Sequence, residues 1–118
     1  MANKMCVTLT SNDKDRANIA FALAHTAACS SQEVAVVLVF DAVHLSQVHY
    51  SDDLSVPEFQ PLTNTLRDYA EAGGKIFVCA PCFNRRCLKE SNLVLGATIV
   101  GAAQIVEFLS GGTACMSF

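Results

Sequence analysis

The sequence has little charge of either sign. Charged residues make up 16% of its 118 residues, and the formal net charge is −3. A protein that binds the phosphate backbone of a nucleic acid needs a patch or stripe of Lys and Arg, and no predicted helix here carries one. Nucleic acid is therefore not an expected partner.

Long hydrophobic runs are also missing, although hydrophobic residues make up 52% of the chain. The longest weakly polar stretch, residues 93–109, is interrupted by Gln104 and Glu107 and is short for a membrane span. The first residues lead directly into a strand-like run, without the apolar core of a secretory signal. We therefore expect a cytoplasmic protein with no membrane contact.

The six cysteines do not have the spacing of a metal site. Cys79, Cys82 and Cys87 give a C-x2-C-x4-C pattern, which is not a standard iron–sulfur arrangement, and a second CxxC pair is missing. No Gly-rich phosphate loop follows the first predicted strand. We therefore expect neither metal nor cofactor, and we interpret the cysteines as cytosolic thiols rather than as disulfides.

Strand-like and helix-like segments alternate along the chain. Residues 34–40 form a continuous β-branched run, which is typical of a strand buried on both faces of a parallel sheet. Small residues at three- and four-residue spacing predict a helix over 17–28 that packs closely on that sheet. The other predicted strands are 5–9, 75–79, 97–100 and 113–118, and the other predicted helices are 62–70 and 102–109.

This alternation predicts one α/β domain over residues 1–118. With right-handed crossovers, it gives a three-layer sandwich around a five-stranded, mainly parallel sheet. Residues 41–61 have no steady period, so we expect a short helix or turn over 42–48 and then a loop or flap. The high apolar content of so small a domain also predicts self-association.

The motif Cys79-Ala80-Pro81-Cys82 ends the predicted strand 75–79. Reactive groups gather at the carboxyl ends of strands in α/β proteins. Residues 75–89 hold four of the eight basic residues and no carboxylate. We therefore expect these cations, with a helix N-terminus after Cys79, to lower the pKa of that thiol.

Three chemistries fit these sulfurs. In the first, Cys79 accepts a sulfane sulfur as a persulfide, and Cys82, one turn away, attacks it as a resolving thiol. The second is dithiol–disulfide exchange, although the later cis-proline strand of thioredoxin-like proteins has no candidate here. The third is metal binding by Cys79, Cys82 and Cys87, which lacks a fourth ligand.

Several segments resemble the DsrE/DsrF-like sulfur-relay proteins. They are Lys75 to Arg86, Ala97 to Leu109, and the opening strand with Thr10 to Asp13. The resemblance implies a small DsrE-like α/β sandwich with flavodoxin-like topology. It places the family's sulfur-carrying cysteine on Cys79, and it puts Cys87 where many relatives have glycine.

The resemblance also implies a function. The chain is expected to be a sulfur-relay protein, and a candidate sulfurtransferase, that carries sulfane sulfur as a persulfide on Cys79 and passes it to a partner thiol. A homo-oligomer, trimer or hexamer, and a sulfur donor or acceptor protein are the expected partners. The alternative is a non-enzymatic, oligomeric ligand-binding protein with incidental cysteines. Cys6, Cys29 and Cys115 are predicted to lie in the core.

Overall fold

A computed structural model describes residues 3–118, in which five parallel strands form one sheet with helices on both faces. The predicted three-layer α/β fold is therefore confirmed. The strands are β1 (Lys4–Leu9), β2 (Glu33–Leu38), β3 (Lys75–Cys79), β4 (Ala97–Val100) and β5 (Ala114–Ser117). The α-helices are α1 (Lys14–Cys29), α2 (Leu62–Glu71), α3 (Ala80–Arg85) and α4 (Ala102–Leu109).

The order of the strands in the sheet is β4-β3-β2-β1-β5. The chain adds β2, β3 and β4 on one side of β1 and then crosses back to place β5 on the other side. Right-handed crossovers put α1, α2 and α3 on one face of the sheet and α4 on the opposite face. Flavodoxin-like sheets, with strand order 2-1-3-4-5, also change direction once, but after the second strand and not after the fourth.

Helix α1 packs closely on the sheet because its inner face consists of small residues. The Asp13 carboxylate accepts a hydrogen bond from the Arg16 backbone N–H at 3.0 Å and so caps the first turn. The helix therefore begins at Lys14, three residues before the predicted start. The helix residues buried against the sheet and its neighbours include Ala17, Ala20, Phe21, Ala24, Ala27 and Ala28.

Tyr69 joins α2 to two strands of the sheet. Its buried hydroxyl lies 2.6 Å from the Lys75 carbonyl and 3.2 Å from the Val34 carbonyl, and it donates to them. Its ring meets the Phe21 ring edge-on, with 5.9 Å between centroids. The hydroxyl therefore satisfies main-chain acceptors of both β2 and β3, inside the core.

Replacing Tyr69 by Phe should destabilise the fold. The ring would stay packed, but the carbonyls of Val34 and Lys75 would lose a buried donor, at a cost of about 1–3 kcal/mol. Urea unfolding followed by circular dichroism would measure this loss. Tyr50→Phe, in which a half-buried hydroxyl is removed, is the control and should cost less; an equal loss in both variants would contradict the assignment.

The opposite face of the sheet is covered by α4 alone among the helices of residues 3–118. The Phe108 ring packs edge-on against Phe77, with 5.6 Å between centroids, over a cluster that includes Cys6, Ala35 and Val37. Cys6 is therefore a core residue, as predicted. The prediction was wrong for Cys29 at the end of α1 and for Cys115 on the edge strand β5, because both positions are exposed.

Strand β2 and the segment after it also depart from the prediction in detail. Strand β2 ends at Leu38, two residues early, because Phe40 adopts a left-handed conformation with φ of 52° that no strand can contain. The short helix or turn expected over 42–48 is a 3₁₀ helix, Phe40–Ser46. The expected flap after it contains a second 3₁₀ helix, Tyr50–Asp53, and a third, Glu90–Asn92, follows α3. Within the described residues, none of the helices has the length and apolar character needed to cross a membrane.

Candidate sulfur site

Cys79 lies where β3 passes into α3, at the carboxyl edge of the sheet. It is the residue immediately before α3, and Pro81 occupies the first turn of that helix, where a missing N–H costs nothing. Cys82 follows one turn later, and both side chains are half-buried. The two predicted thiols therefore lie one turn apart at this edge, and the Cys82 side chain influences the pKa of Cys79.

The backbone N–H of Phe40 donates a hydrogen bond to the Cys82 sulfur, with 3.2 Å between the heavy atoms. Strand β2 pairs with β3, with Leu38 opposite Val78, so the residues after β2 reach the start of α3. The left-handed conformation of Phe40 leaves 59% of this residue exposed. Sequence reasoning missed this contact because a backbone donor has no signature in the side chains.

Arg86 connects the sulfur site to Asp41. Its Nε and Nη2 atoms donate to the Asp41 carboxylate at 3.0 and 2.9 Å, and its Nη1 donates to the Cys82 carbonyl at 3.0 Å. The Arg86 side chain is 21% exposed and that of Asp41 is 60% exposed. Residues 75–89 hold no carboxylate of their own, but the sheet brings Asp41 to Arg86 from the end of the neighbouring strand.

The sequence suggested that all four cations of residues 75–89 surround the sulfurs, but the structure does not place them all there. Lys75 lies at the opposite end of β3, where it pairs with Glu33 at 3.0 Å. Arg85 and Lys89 are at the surface, whereas Arg86 is the cation that acts on the Cys79 thiol. A five-residue strand separates its two ends by about 13–16 Å, so proximity in sequence was misleading here.

The pKa of Cys79 is raised above its usual value, contrary to the prediction. Burial is the main cause, and the hydrogen bond and charge of Cys82 raise this pKa further. The Cys82 backbone N–H and the Arg86 guanidinium lower it, but by less. Helix α3 has only six residues, so its dipole is weak, and Asp41 already neutralises much of the charge on Arg86.

The alkylation rate of Cys79 should therefore reach half of its maximum at a higher pH than that of a cysteine in a short unstructured peptide. A raised pKa means that the neutral thiol persists as the pH rises, so the reactive thiolate forms late. Iodoacetamide labelling between pH 6 and 10, with the peptide added to the same sample and peptide-resolved mass spectrometry, would measure both midpoints. A lower midpoint for Cys79 than for the peptide would contradict this assignment.

Cys87 follows α3 as an exposed residue in a left-handed conformation, with φ of 53°. Glycine tolerates such a conformation best. Cys87 therefore contributes an exposed thiol two residues after the end of α3, in a backbone conformation that would suit glycine.

The polar residues at the neighbouring strand end make contacts of their own. Asn12 donates through Nδ2 to the Tyr50 hydroxyl at 2.6 Å, whereas its neighbour Asp13 caps α1. His44 stacks on Tyr50 with 5.2 Å between ring centroids, and His49 pairs with Asp52 at 3.1 Å. Across residues 3–118, no three His, Cys, Asp or Glu side chains form a metal-ligating group.

The family model of the DsrE/DsrF-like family matches residues 3–118. The chain belongs to this family. The match includes the CxxC edge, the opening strand and the carboxyl-terminal helix and strand, so the predicted family is confirmed over essentially the whole chain.

Two relatives from Methanocaldococcus jannaschii have similar sequences. The uncharacterized protein MJ0989 is 29% identical over 105 residues, which cover 89% of each chain. The uncharacterized protein MJ0760 is 28% identical over 103 residues, which cover 87% of this chain and 38% of that protein. This chain therefore spans most of the first relative and well under half of the second.

Solved structures that share this fold include those of two other proteins. The ychN protein from E. coli superimposes with a TM-score of 0.71 at 14% identity, over 98% of this chain and 99% of that one. The protein of unknown function MTH1491 from Methanobacterium thermoautotrophicum gives 0.70 at 13% identity, over 98% of each chain. At these identities the likeness establishes the fold, and the sulfur chemistry depends on the residues of the site itself.

Proposed function

We propose that this protein is a sulfur-relay protein that carries sulfane sulfur as a persulfide on Cys79 and passes it to the thiol of a partner. The observation that carries the proposal is the placement of Cys79 and Cys82 one turn apart at the carboxyl edge of β3. Membership of the DsrE/DsrF-like family supports a function of the sulfur-relay type. Cytoplasmic location and a sulfur donor or acceptor protein are part of the same proposal.

The transfer consists of two balanced displacements. The Cys79 thiolate attacks the outer sulfur of a donor persulfide, R–S–SH, so that a Cys79–S–SH bond forms and the donor leaves as a thiolate, RS⁻. A thiolate of the acceptor then attacks the outer sulfur, and Cys79 leaves as a thiolate. Each step exchanges one thiolate for another, so there is no net oxidation or reduction and no net uptake or release of a proton.

Cys82 is suited to two tasks in this scheme. Its sulfur lies one turn from Cys79 and accepts the Phe40 N–H at 3.2 Å. When ionised, Cys82 can take the Cys79 proton as the donor arrives. It can also attack the inner sulfur of the Cys79 persulfide, forming a Cys79–Cys82 disulfide and releasing hydrosulfide.

Incubation with a persulfide donor should add about 32 Da, one sulfur atom, to the protein. We expect Cys79→Ser to abolish the gain, because the attacking atom is removed. Intact-protein mass spectrometry before and after treatment with a reductant would measure it, since a persulfide is reversible. Cys29→Ser, which removes an exposed cysteine at the far end of α1, is the matched control. Equal gains in both variants would contradict the role of Cys79.

The second candidate function is non-enzymatic binding of a small molecule, with incidental cysteines. It is favoured by a cavity of about 200 Å³ between α2, residues 48–51 and the loop before β4. Its lining residues are Val48, His49, Ser51, Thr63, Leu66, Arg67, Val94 and Leu95. A protein that gains no sulfur from any donor would favour this function.

We further propose that copies of this chain associate through the face of the sheet that carries α4, as a homotrimer or hexamer. Helix α4 has eight residues, and Val106 at its centre is 63% exposed. Beside it, Phe77 is only half-buried and the edge residues Thr98 and Cys115 are exposed. A second copy would cover this apolar surface, which is unfavourable in water.

Val106→Glu should therefore weaken the oligomer, because it places a charge in the proposed interface. Size-exclusion chromatography with light scattering would measure the mass at a fixed protein concentration. Leu95→Glu is the matched control, since Leu95 is 67% exposed but lies on the other side of the sheet. A monomeric wild-type protein, or a shift with Leu95→Glu but not with Val106→Glu, would contradict this interface.

A further inference from the structure

We propose that Asp41 sets the charge selectivity of the sulfur site. By neutralising Arg86, it makes the Cys79–Cys82 pair favour donors whose sulfane sulfur is bound to an uncharged group over donors that are small anions. This inference rests on the proposed sulfur-relay function, because it names the class of donor. Asp41 acts through Arg86 and is a positioning residue.

The geometry places one cation beside the sulfurs and occupies it from within the chain. Two N–H groups of Arg86 converge on one oxygen of Asp41, at 2.9 and 3.0 Å, and a third is used by the Cys82 carbonyl. An incoming anion would have to displace a carboxylate that is tethered next to the guanidinium. The tethered carboxylate has the entropic advantage over a free anion.

Without Asp41, this site would attract anions. A guanidinium held by its bond to the Cys82 carbonyl would present two free N–H groups beside the thiols, in the fork geometry that suits an oxoanion. Thiosulfate, whose sulfane sulfur is attached to a charged sulfonyl group, has this chemistry. With Asp41 present, the anion meets a neutral ion pair and a partly free carboxylate that repels it.

An apolar residue also contacts the site, through its backbone. Phe40 is 59% exposed, and its N–H donates to the Cys82 sulfur at 3.2 Å. A bulky residue in the left-handed region is strained, so surrounding contacts maintain this conformation. An exposed apolar residue and a neutralised cation together favour an uncharged group next to the incoming sulfur.

Alkylation with two reagents of different charge tests this inference directly. Iodoacetamide is neutral and iodoacetate is an anion, but both react with the same thiolate. The ratio of their rates at Cys79 and Cys82, referred to the ratio at Cys29, reports local charge and cancels any change in thiol pKa. Peptide-resolved mass spectrometry of the full-length protein at low salt would give both rates.

We expect Asp41→Asn to raise the iodoacetate-to-iodoacetamide ratio at the site by about threefold to fivefold, the effect of one unmasked charge a few ångströms away in water. The increase should vanish at high salt, because salt screens exposed charges. It should also vanish in the double variant Asp41→Asn/Arg86→Gln, which has no cation to unmask. An unchanged ratio in Asp41→Asn would overturn the inference.

Glu33→Gln is the matched control. It changes the net charge by the same amount and breaks a surface ion pair of similar length, the one with Lys75 at 3.0 Å, at the opposite edge of the sheet. Its ratio should equal that of the wild type. An equal increase in both variants would mean that net charge is responsible, and it would overturn the role of Asp41.

Sulfur labelling separates this inference from the proposed function. If Asp41→Asn shifts the alkylation ratio but no variant gains sulfur from a persulfide or from thiosulfate, the relay function fails while the electrostatic assignment stands. If the wild type gains sulfur from an organic persulfide, the relay function stands. If, in addition, the ratio of thiosulfate labelling to persulfide labelling is no higher in Asp41→Asn than in the wild type, the inference about the donor fails.

Discussion

The parallel pairing of β2 with β3 is the constraint on which the sulfur site depends. Its register sets Leu38 opposite Val78, so the chain leaving β2 reaches the sulfurs as β3 turns into α3. The two residues after Val39 then make the decisive contacts: Phe40 through its N–H to the Cys82 sulfur, and Asp41 through Arg86. A shift of one residue would turn the side chains of β2 to the other face and remove both contacts.

Two opposing effects decide the chemistry of Cys79. Burial stabilises the neutral thiol, while one guanidinium and one N–H stabilise the thiolate, and burial is the larger effect. The cation is weakened further by Asp41, so the site is less electropositive than its arginines suggest. Cys82 differs from Cys79 in that its sulfur accepts a backbone N–H from a neighbouring segment, that of Phe40.

The sequence predicted most of the fold because hydrophobic pattern and local chemistry dominate there. Strand β3, strand β4 and helix α4 have their predicted bounds, since each is a short apolar segment between Gly, Pro or polar residues. Strand β2 ends earlier than predicted because the conformation of Phe40 depends on its contact with Cys82 and not on its own propensity. Cys29 and Cys115 look buried in sequence, but one lies at a helix end and the other on an edge strand.

The sequence by itself determined the succession of strands and helices along the chain, the family, and the placement of two thiols at a strand end. Each of these follows from residues that are close together in the sequence. Tertiary structure alone decided the electrostatics of the site. Asp41 and Arg86 are 45 residues apart, and Lys75, four residues from Cys79, lies at the other end of its strand. Coulomb interactions depend on distance in space, which the sheet sets through a pairing that no local pattern encodes.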